Sequence, residues 1–395
     1  MSKKVILGFS GGLDTSYCVK YFTEEKGYEV HTVTVNTGGF DNRESKELED
    51  KALDLGAKTH KNIDVSKVYY ENAIKYLVFG NVLKNGTYPI SVSSERMTQA
   101  KAMAEYALTL NADAIAHGST GAGNDQIRFD MMFHIICPNL EIITPIRDMQ
   151  LSRNEEIAYL ESKGVDMNFA KAKYSINKGL WGTSVGGDET LTSRKALPEE
   201  AYPTQVTKEG NEALKLTFKK GELKAINDAT FDHPVAAIQA LEKLAAPYGI
   251  GRDIHVGDTI IGIKGRVGFE AAAPVLIIKA HHLLEKHVLT KWQLMWKEQL
   301  GNFYGNYMHE GQTLDPVMRD IEAFLQSSQE QVSGDVFIQL YPYRFELEGI
   351  ESPHDLMNNK FAAYGETNKG WTGDDVRGFS KIFANQTAIW KNVND

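Results

Sequence analysis

Two short runs combine glycine with hydroxyl, amide and charged side chains at spacings suited to ligand chemistry: SGGLDTS, Ser10 to Ser16, and HGSTGAGNDQIRFD, His117 to Asp130. In the first, Gly11 and Gly12 carry no Cβ, so the backbone can turn sharply and bring its N–H groups against a ligand. A helix starting near Leu13 adds unpaired donors and a positive dipole end, which together make an anion site. Ser10, Thr15 and Ser16 add hydroxyls, suiting pyrophosphate better than a single carboxylate. Asp14 would repel phosphates unless it caps the helix or works through a bridging Mg²⁺, so magnesium is expected with the nucleotide. A plain strand-to-helix turn accounts for two glycines by themselves; the whole string between an apolar run and a helical segment goes beyond it. The chain has no Gly-Lys dipeptide, hence no Walker A loop, and no G-x-G-x-x-G after a strand.

In the second run Gly118, Gly121 and Gly123 admit close backbone approach, and Thr120, Asn124, Asp125 and Arg128 supply donors, acceptors and one charge of each sign. That mixture suits a zwitterionic amino acid. Singly these residues prove little, since Arg128 could pair structurally with Asp125 or Asp130.

Both runs need a scaffold that aims them at one place. From Val5 to about Lys163, short apolar runs alternate with longer helix-like segments, predicting an α/β fold with a doubly wound parallel sheet. The expected strands are Val5 to Phe9, Val30 to Val35, Lys58 to Asp64, Ala112 to His117 and Glu141 to Ile143, with helices starting near Leu13, Glu44, Ser66, Glu95 and Gln126. Such a sheet binds ligands at the carboxyl ends of its strands, so both loops should meet in one crevice. Met97, Ala100, Ala104, Ala107 and Leu108 form a core-facing stripe. After about Phe169 the alternation stops. β-like runs at Leu214 to Phe218, Thr259 to Ile263, Val275 to Ile278 and Val336 to Tyr341 suggest an α+β second domain, and Asp374 to Trp390 reads as helical. The expected units are 1–168, 169–373 and a C-terminal helix at 374–395.

Composition narrows the classes. The 395 residues carry 43 Lys plus Arg against 52 Asp plus Glu, a net charge of -9, and no basic stripe that would favour nucleic acid. Two cysteines, Cys18 and Cys137, cannot form a disulfide framework, and a reducing cytoplasm is expected. No apolar run approaches a membrane span, and the N-terminal apolar stretch is too short for a signal-peptide core. His281, His282 and His287 lack a supporting carboxylate or cysteine pattern, so they read as a solvated helix face and no protein-held metal is assigned.

SGGLDTS resembles the S-G-G-x-D-S/T-S signature of ATP pyrophosphatases, the PP-loop superfamily with an adenine nucleotide hydrolase-like sheet. The second run resembles the H-G-x-T-G-K-G-N-D-Q-x-R-F motif of the argininosuccinate synthase family. The likeness continues at TVNTGGF near Val35, TYPISVSSER from Thr87 to Arg96, YSIN at Tyr174, YGIGR at Tyr248 and GFSKI near the C-terminus. The resemblance implies a ligase that uses ATP to join citrulline to aspartate through a citrulline adenylate, in arginine biosynthesis, as a homotetramer. It implies ATP contacts at Gly8, Phe9, Ser10, Gly11, Gly12, Leu13, Asp14, Thr15, Ser16, Val35 and Gly118. Aspartate contacts are implied at Thr120, Asn124 and Asp125, and citrulline contacts at Tyr88, Ser93, Asn124, Arg128, Ser175 and Ser184. Three positions depart from the family pattern: its motif Lys is Ala122, and a Glu and a Tyr that contact citrulline align with Gly257 and Phe269. Two other readings are the same chemistry on an N-acylated citrulline and a tRNA-modifying enzyme with the same phosphate loop. The second would need catalytic cysteines, and neither Cys18 nor Cys137 is placed for that.

Overall fold

The computed structural model describes residues 2–165, 173–361, 364–365 and 370–395. Strands β1 (Lys4–Gly8), β2 (Glu29–Asn36), β3 (Thr59–Asp64), β4 (Ala114–Ala116) and β5 (Glu141–Ile143) form a parallel sheet in the order β3-β2-β1-β4-β5. Helices α1 (Leu13–Lys20), α2 (Asn42–Asp54), α3 (Ser66–Tyr69), α4 (Lys75–Phe79), α5 (Ser91–Thr109), α6 (Asp125–Ile136), α7 (Pro145–Asp148) and α8 (Arg153–Ser162) complete this part. Alternation along β1 sends Val5 and Leu7 into a core with Tyr17, Cys18, Phe22 and Leu160, and Ile6 into a second core with Met97, Met103, Ala104 and Phe133. The sheet is therefore covered on both faces, as the apolar runs predicted. Reciprocal capping boxes start α2 at Asp41 and Glu44 and α8 at Ser152 and Glu155. Of the expected stripe, Met97, Ala100, Ala104 and Ala107 are buried; Leu108, one residue further round the helix, is exposed.

The chain steps from β1 out to β3 on one side and then crosses to β4 on the other. Strand order reverses between β1 and β4, the position where open α/β sheets leave a crevice.

The rest is α+β. Strands β6 (Ser175–Gly179), β7 (Gly182–Gly186), β8 (Glu212–Lys219), β9 (Glu222–Ile226), β10 (Ala229–Thr230), β11 (Arg252–Asp258), β12 (Lys264–Glu270), β13 (Gly334–Tyr341) and β14 (Arg344–Glu351) make two antiparallel sheets, β11-β12-β7-β6 and β10-β9-β8-β13-β14. Helices α9 (Pro234–Ala245), α10 (Ala272–Val288), α11 (Lys291–His309) and α12 (Pro316–Ser328) accompany them. Two expected strands are not strands. Thr259 to Ile263 is the β11–β12 turn, closed by the Thr259 N–H on the Ile263 carbonyl at 2.7 Å, with Gly262 in the left-handed region. Val275 to Ile278 lies within α10, where a short apolar run looks the same in a buried helix as in a strand. The C-terminal helix is two, α13 (Gly373–Phe383) and α14 (Asn385–Asn394), broken at Ala384. His281 is not on a solvated face. It is fully buried between the Asn81 and Gln329 side chains at 2.7 and 2.8 Å. The expected boundary at 168/169 lies outside the described residues.

Candidate active site

A cavity of about 900 Å³ opens at the switch point. It is lined by Gly8, Phe9, Ser10, Gly12, Leu13, Asp14, Thr15, Val35 and Gly118, by Thr120, Asn124 and Asp125, and by Tyr88, Ser93, Arg128, Ser175 and Ser184. Gly11 and Ser16 stand behind it. Gly11 has φ +71° and its carbonyl accepts from Lys51 Nζ at 2.6 Å, while the fully buried Ser16 hydroxyl donates to the Gly12 carbonyl at 2.7 Å. Both shape the loop from beneath. Gly12 is the N-cap of α1 and no side chain caps the helix, so its first N–H groups remain available to an anion.

The two loops touch. A Cβ on Gly118 would lie 3.3 Å from the Asp14 main-chain carbon and side chain and from the Thr15 methyl. His117 fixes the entry to the second loop, its Nδ1 accepting from the Ser119 N–H at 3.1 Å, which leaves Nε2 to donate to Asp130 at 3.0 Å. Asp14 does not cap α1; its carboxyl hydrogen-bonds that of Glu156 on α8. Burial raises the pKa of Asp14, and burial followed by the Asp14 charge pushes Glu156 up to about 8. Near neutral pH, Glu156 therefore keeps its proton and donates it to Asp14. The unfolded chain releases that proton near pH 4.5, so stability falls as pH rises from there to about 8, and the penalty is complete above that. Glu156→Gln keeps a donor without titrating. Its melting temperature is expected to drop less than the parent's between about pH 5 and about pH 9, and equal drops would refute the shared proton.

Asp125 is the anion of a clamp. Arg96 Nε donates to one carboxylate oxygen at 2.9 Å and Arg128 Nη1 to the other at 3.0 Å. Arg96 also reaches Gln99 and Asn177, each at 2.9 Å, and Arg128 donates to the His309 carbonyl at 2.7 and 3.1 Å. The clamp joins α5, α6, β6 and the end of α11. Burial opposes ionisation of Asp125, but the two guanidinium charges outweigh it and hold the carboxyl below its usual range. Arg96 did not enter the expected site, although it closes the TYPISVSSER string; its local signal was the charged pair Glu95-Arg96 among the serines and threonine at the start of α5. Glu95 accepts from Thr37 at 2.6 Å, and a Cβ on Gly179 would come within 2.6 Å of its carboxylate, so a larger residue there would have to displace that side chain from its hydrogen bond.

The other expected contacts divide. Tyr88 Oη accepts the Val92 N–H at 3.0 Å, capping the start of α5, and Ile90 between them is held at φ +60°, a costly conformation for a β-branched residue. Asn124 Oδ1 accepts the Ile260 N–H at 2.9 Å and ties the second loop to the β11–β12 turn. Ser93 faces the cavity with a buried hydroxyl that has no protein partner. Gly257 forms part of the wall, whereas Phe269 is packed behind Tyr88, ring centroids 5.3 Å apart.

Residues 4–166 match the family model of the arginosuccinate synthase N-terminal HUP domain, and residues 174–390 that of the arginosuccinate synthase C-terminal domain. The chain belongs to the argininosuccinate synthase family. The argininosuccinate synthase of Methanocaldococcus jannaschii is 37% identical over 369 residues, covering 93% of each chain. That of Xanthomonas campestris pv. campestris is 37% identical over 406 residues, covering 100% of this chain and 99% of its own. That of Sulfurisphaera tokodaii is 32% identical over 395 residues, covering 99% and 100%. Argininosuccinate synthases are ligases, and this chain accordingly joins citrulline to aspartate, converting ATP to AMP and pyrophosphate, in arginine biosynthesis. Membership displaces the tRNA-modifying reading. The cysteines agree: both are buried, and burial raises both thiol pKa values. Among the described residues no helix is long and apolar enough to cross a membrane.

Proposed function

We propose that ATP lies across the first loop, its phosphates on the free N–H groups of α1 and on Ser10 and Thr15, with Gly8, Phe9, Gly12, Leu13, Val35 and Gly118 against the nucleotide. Citrulline lies against Tyr88, Ser93, Arg128, Ser175 and Ser184, and aspartate against Thr120, Asn124 and Asp125. The observation that carries this reading is the contact of the two loops at Gly118 and Asp14, at the crevice where strand order reverses. It supports an anion site and an amino-acid site that share one cavity. The ureido carbon of citrulline has a poor leaving oxygen, so that oxygen attacks the α-phosphorus and pyrophosphate leaves. The aspartate amino group then displaces AMP. The protein's part is positioning and charge stabilisation, with no residue assigned as a general base.

Mg²⁺ enters with the phosphates. The donors on this wall, the Asp14 carboxylate and the Ser10 and Thr15 hydroxyls, are the hard oxygens it takes, and it would neutralise phosphate charge. Residues 1–168 form the ATP unit, 169–373 the synthetase and oligomerisation unit, and 374–395 the C-terminal helical segment. A cytoplasmic homotetramer follows from the family resemblance as a proposal, and the apolar side chains that α13 and α14 expose, Phe379, Ile382, Phe383, Ile389, Trp390 and Val393, support a contact between copies of the chain there. Pyrophosphate release is expected to turn over only when ATP, citrulline and aspartate are all present, and to stop at about one equivalent per site when aspartate is omitted, because the adenylate then has no amine to discharge it. Release without citrulline, or full turnover without aspartate, would overturn the placement of both in one cavity, and light scattering checks the tetramer.

A further inference from the structure

We infer that the citrulline end of the cavity receives a hydrogen-bond acceptor in place of a free ammonium, so that the preferred ureido substrate is a citrulline acylated on its α-nitrogen, best with a carboxylate on the acyl chain. This rests on the proposed placement of citrulline against Tyr88, Ser93 and Arg128. The imidazole of His255 lies over Gly257: a Cβ there would come within 2.5 Å of its Nε2. The ring stacks on Tyr88, centroids 5.1 Å apart, is 6% exposed, and its Nδ1 has no partner. His309 closes the same wall. It is 8% exposed, and neither ring nitrogen meets a partner in hydrogen-bond geometry, although the Asp258 main chain is near enough to favour protonation slightly. Three buried ring nitrogens without partners, one on His255 and two on His309, on the wall of a substrate cavity, call for a ligand that fills their hydrogen bonds.

The sign of the surrounding charge selects that ligand. Burial first, and then the charges of Arg128 and Lys84, push His309 down to about 3; burial and Lys84 also lower His255. Burial, the larger cause, resists charge of either sign, and the charges of Arg128 and Lys84 tip the balance against an ammonium and towards an acceptor or a carboxylate. The carboxylates nearby are already engaged. Asp125 is held by two guanidiniums, and Glu270 accepts from the Thr204 hydroxyl at 2.9 Å. Asp258 is exposed and paired with Lys264 at 2.7 Å, and it is the one that could swing towards an ammonium.

The chemistry at the ureido oxygen is unchanged, and the acyl group stays on the product. The test is kcat/KM for pyrophosphate release, with ATP and aspartate, on citrulline, N-acetylcitrulline and N-succinylcitrulline. N-succinylcitrulline is expected to lead citrulline by at least about tenfold, with the acetyl form between them. His255→Phe, which keeps a ring and loses the nitrogens, should shrink that lead. A smaller lead in the parent, or citrulline as the best substrate, overturns the inference; citrulline best and lost on Asp258→Asn would make Asp258 the ammonium's partner. Release with none of the three would fail the placement of citrulline itself and take the inference with it.

Discussion

Asp125→Ala is expected to lower kcat/KM for the ureido substrate by roughly a hundredfold and to lower the melting temperature as well. The substitution leaves two guanidiniums without their shared anion, Arg128 only 4% exposed and Arg96 15% exposed. Removing one partner of a buried pair costs about 3–5 kcal/mol. Asp125 keeps 33% of its side chain open to the cavity, so the lower end applies, and at about 1.4 kcal/mol per tenfold this is two orders of magnitude. The effect reaches citrulline because Arg128 and the Asn177 side chain lose their common anchor, one directly and one through Arg96. Asp125→Asn, which can still accept from one guanidinium, should recover part of the loss. Steady-state constants for each amino acid and a thermal melt decide it. A loss confined to aspartate, with melting unchanged, would leave Asp125 as a contact to aspartate alone.

That clamp also shows where the sequence stops being readable. The strands of the first sheet were legible because Val5, Ile6 and Leu7 are apolar on both faces and are cut off sharply by Gly8 and the loop beyond. The phosphate loop was legible for the same local reason: glycine, hydroxyls and a helix start fall within one short string. The clamp was not. Arg96 and Asp125 are 29 residues apart and Arg128 and His309 are 181 apart, and only the packing of α5, α6 and α11 brings them together. Ser16 was legible as part of the loop but not as a residue facing inward, since one turn of helix decides which hydroxyl meets the ligand. In the second half, local signals conflicted. Ile260, Ile261 and Ile263 carry strand-forming side chains, yet Gly262 needs a left-handed backbone and the two flanking strands pair across it. At Val275 to Ile278 the decisive residue was Pro274, tolerated in the first turn of a helix, where its missing N–H leaves no bond broken.

Gly118→Val is expected to raise the KM for ATP by roughly ten- to a hundredfold while the chain stays folded. Gly118 is where the second loop leans on the first turn of α1, and the atoms it would meet are the main-chain carbon of Asp14, its Cβ and the Thr15 methyl. Main chain cannot rotate away as the end of a long side chain can. Alanine, with its Cβ at 3.3 Å, needs a shift of only a few tenths of an ångström. Valine adds two methyls to that contact, and overpacking of this kind costs about 1–3 kcal/mol. The strain falls on the loop itself, since Asp14 is tied to Glu156 on α8 and Thr15 approaches the Gly12 carbonyl at 3.4 Å. Displacing the first turn of α1 misaligns its free N–H groups, which in the proposed site hold the phosphates. The aspartate KM should rise less, because Asn124 is anchored from the other side by Ile260 at 2.9 Å. Gly118→Ala should fall between parent and valine. If valine leaves the ATP constant unchanged, the two loops do not form one site, and the anion site must be sought on the first loop alone.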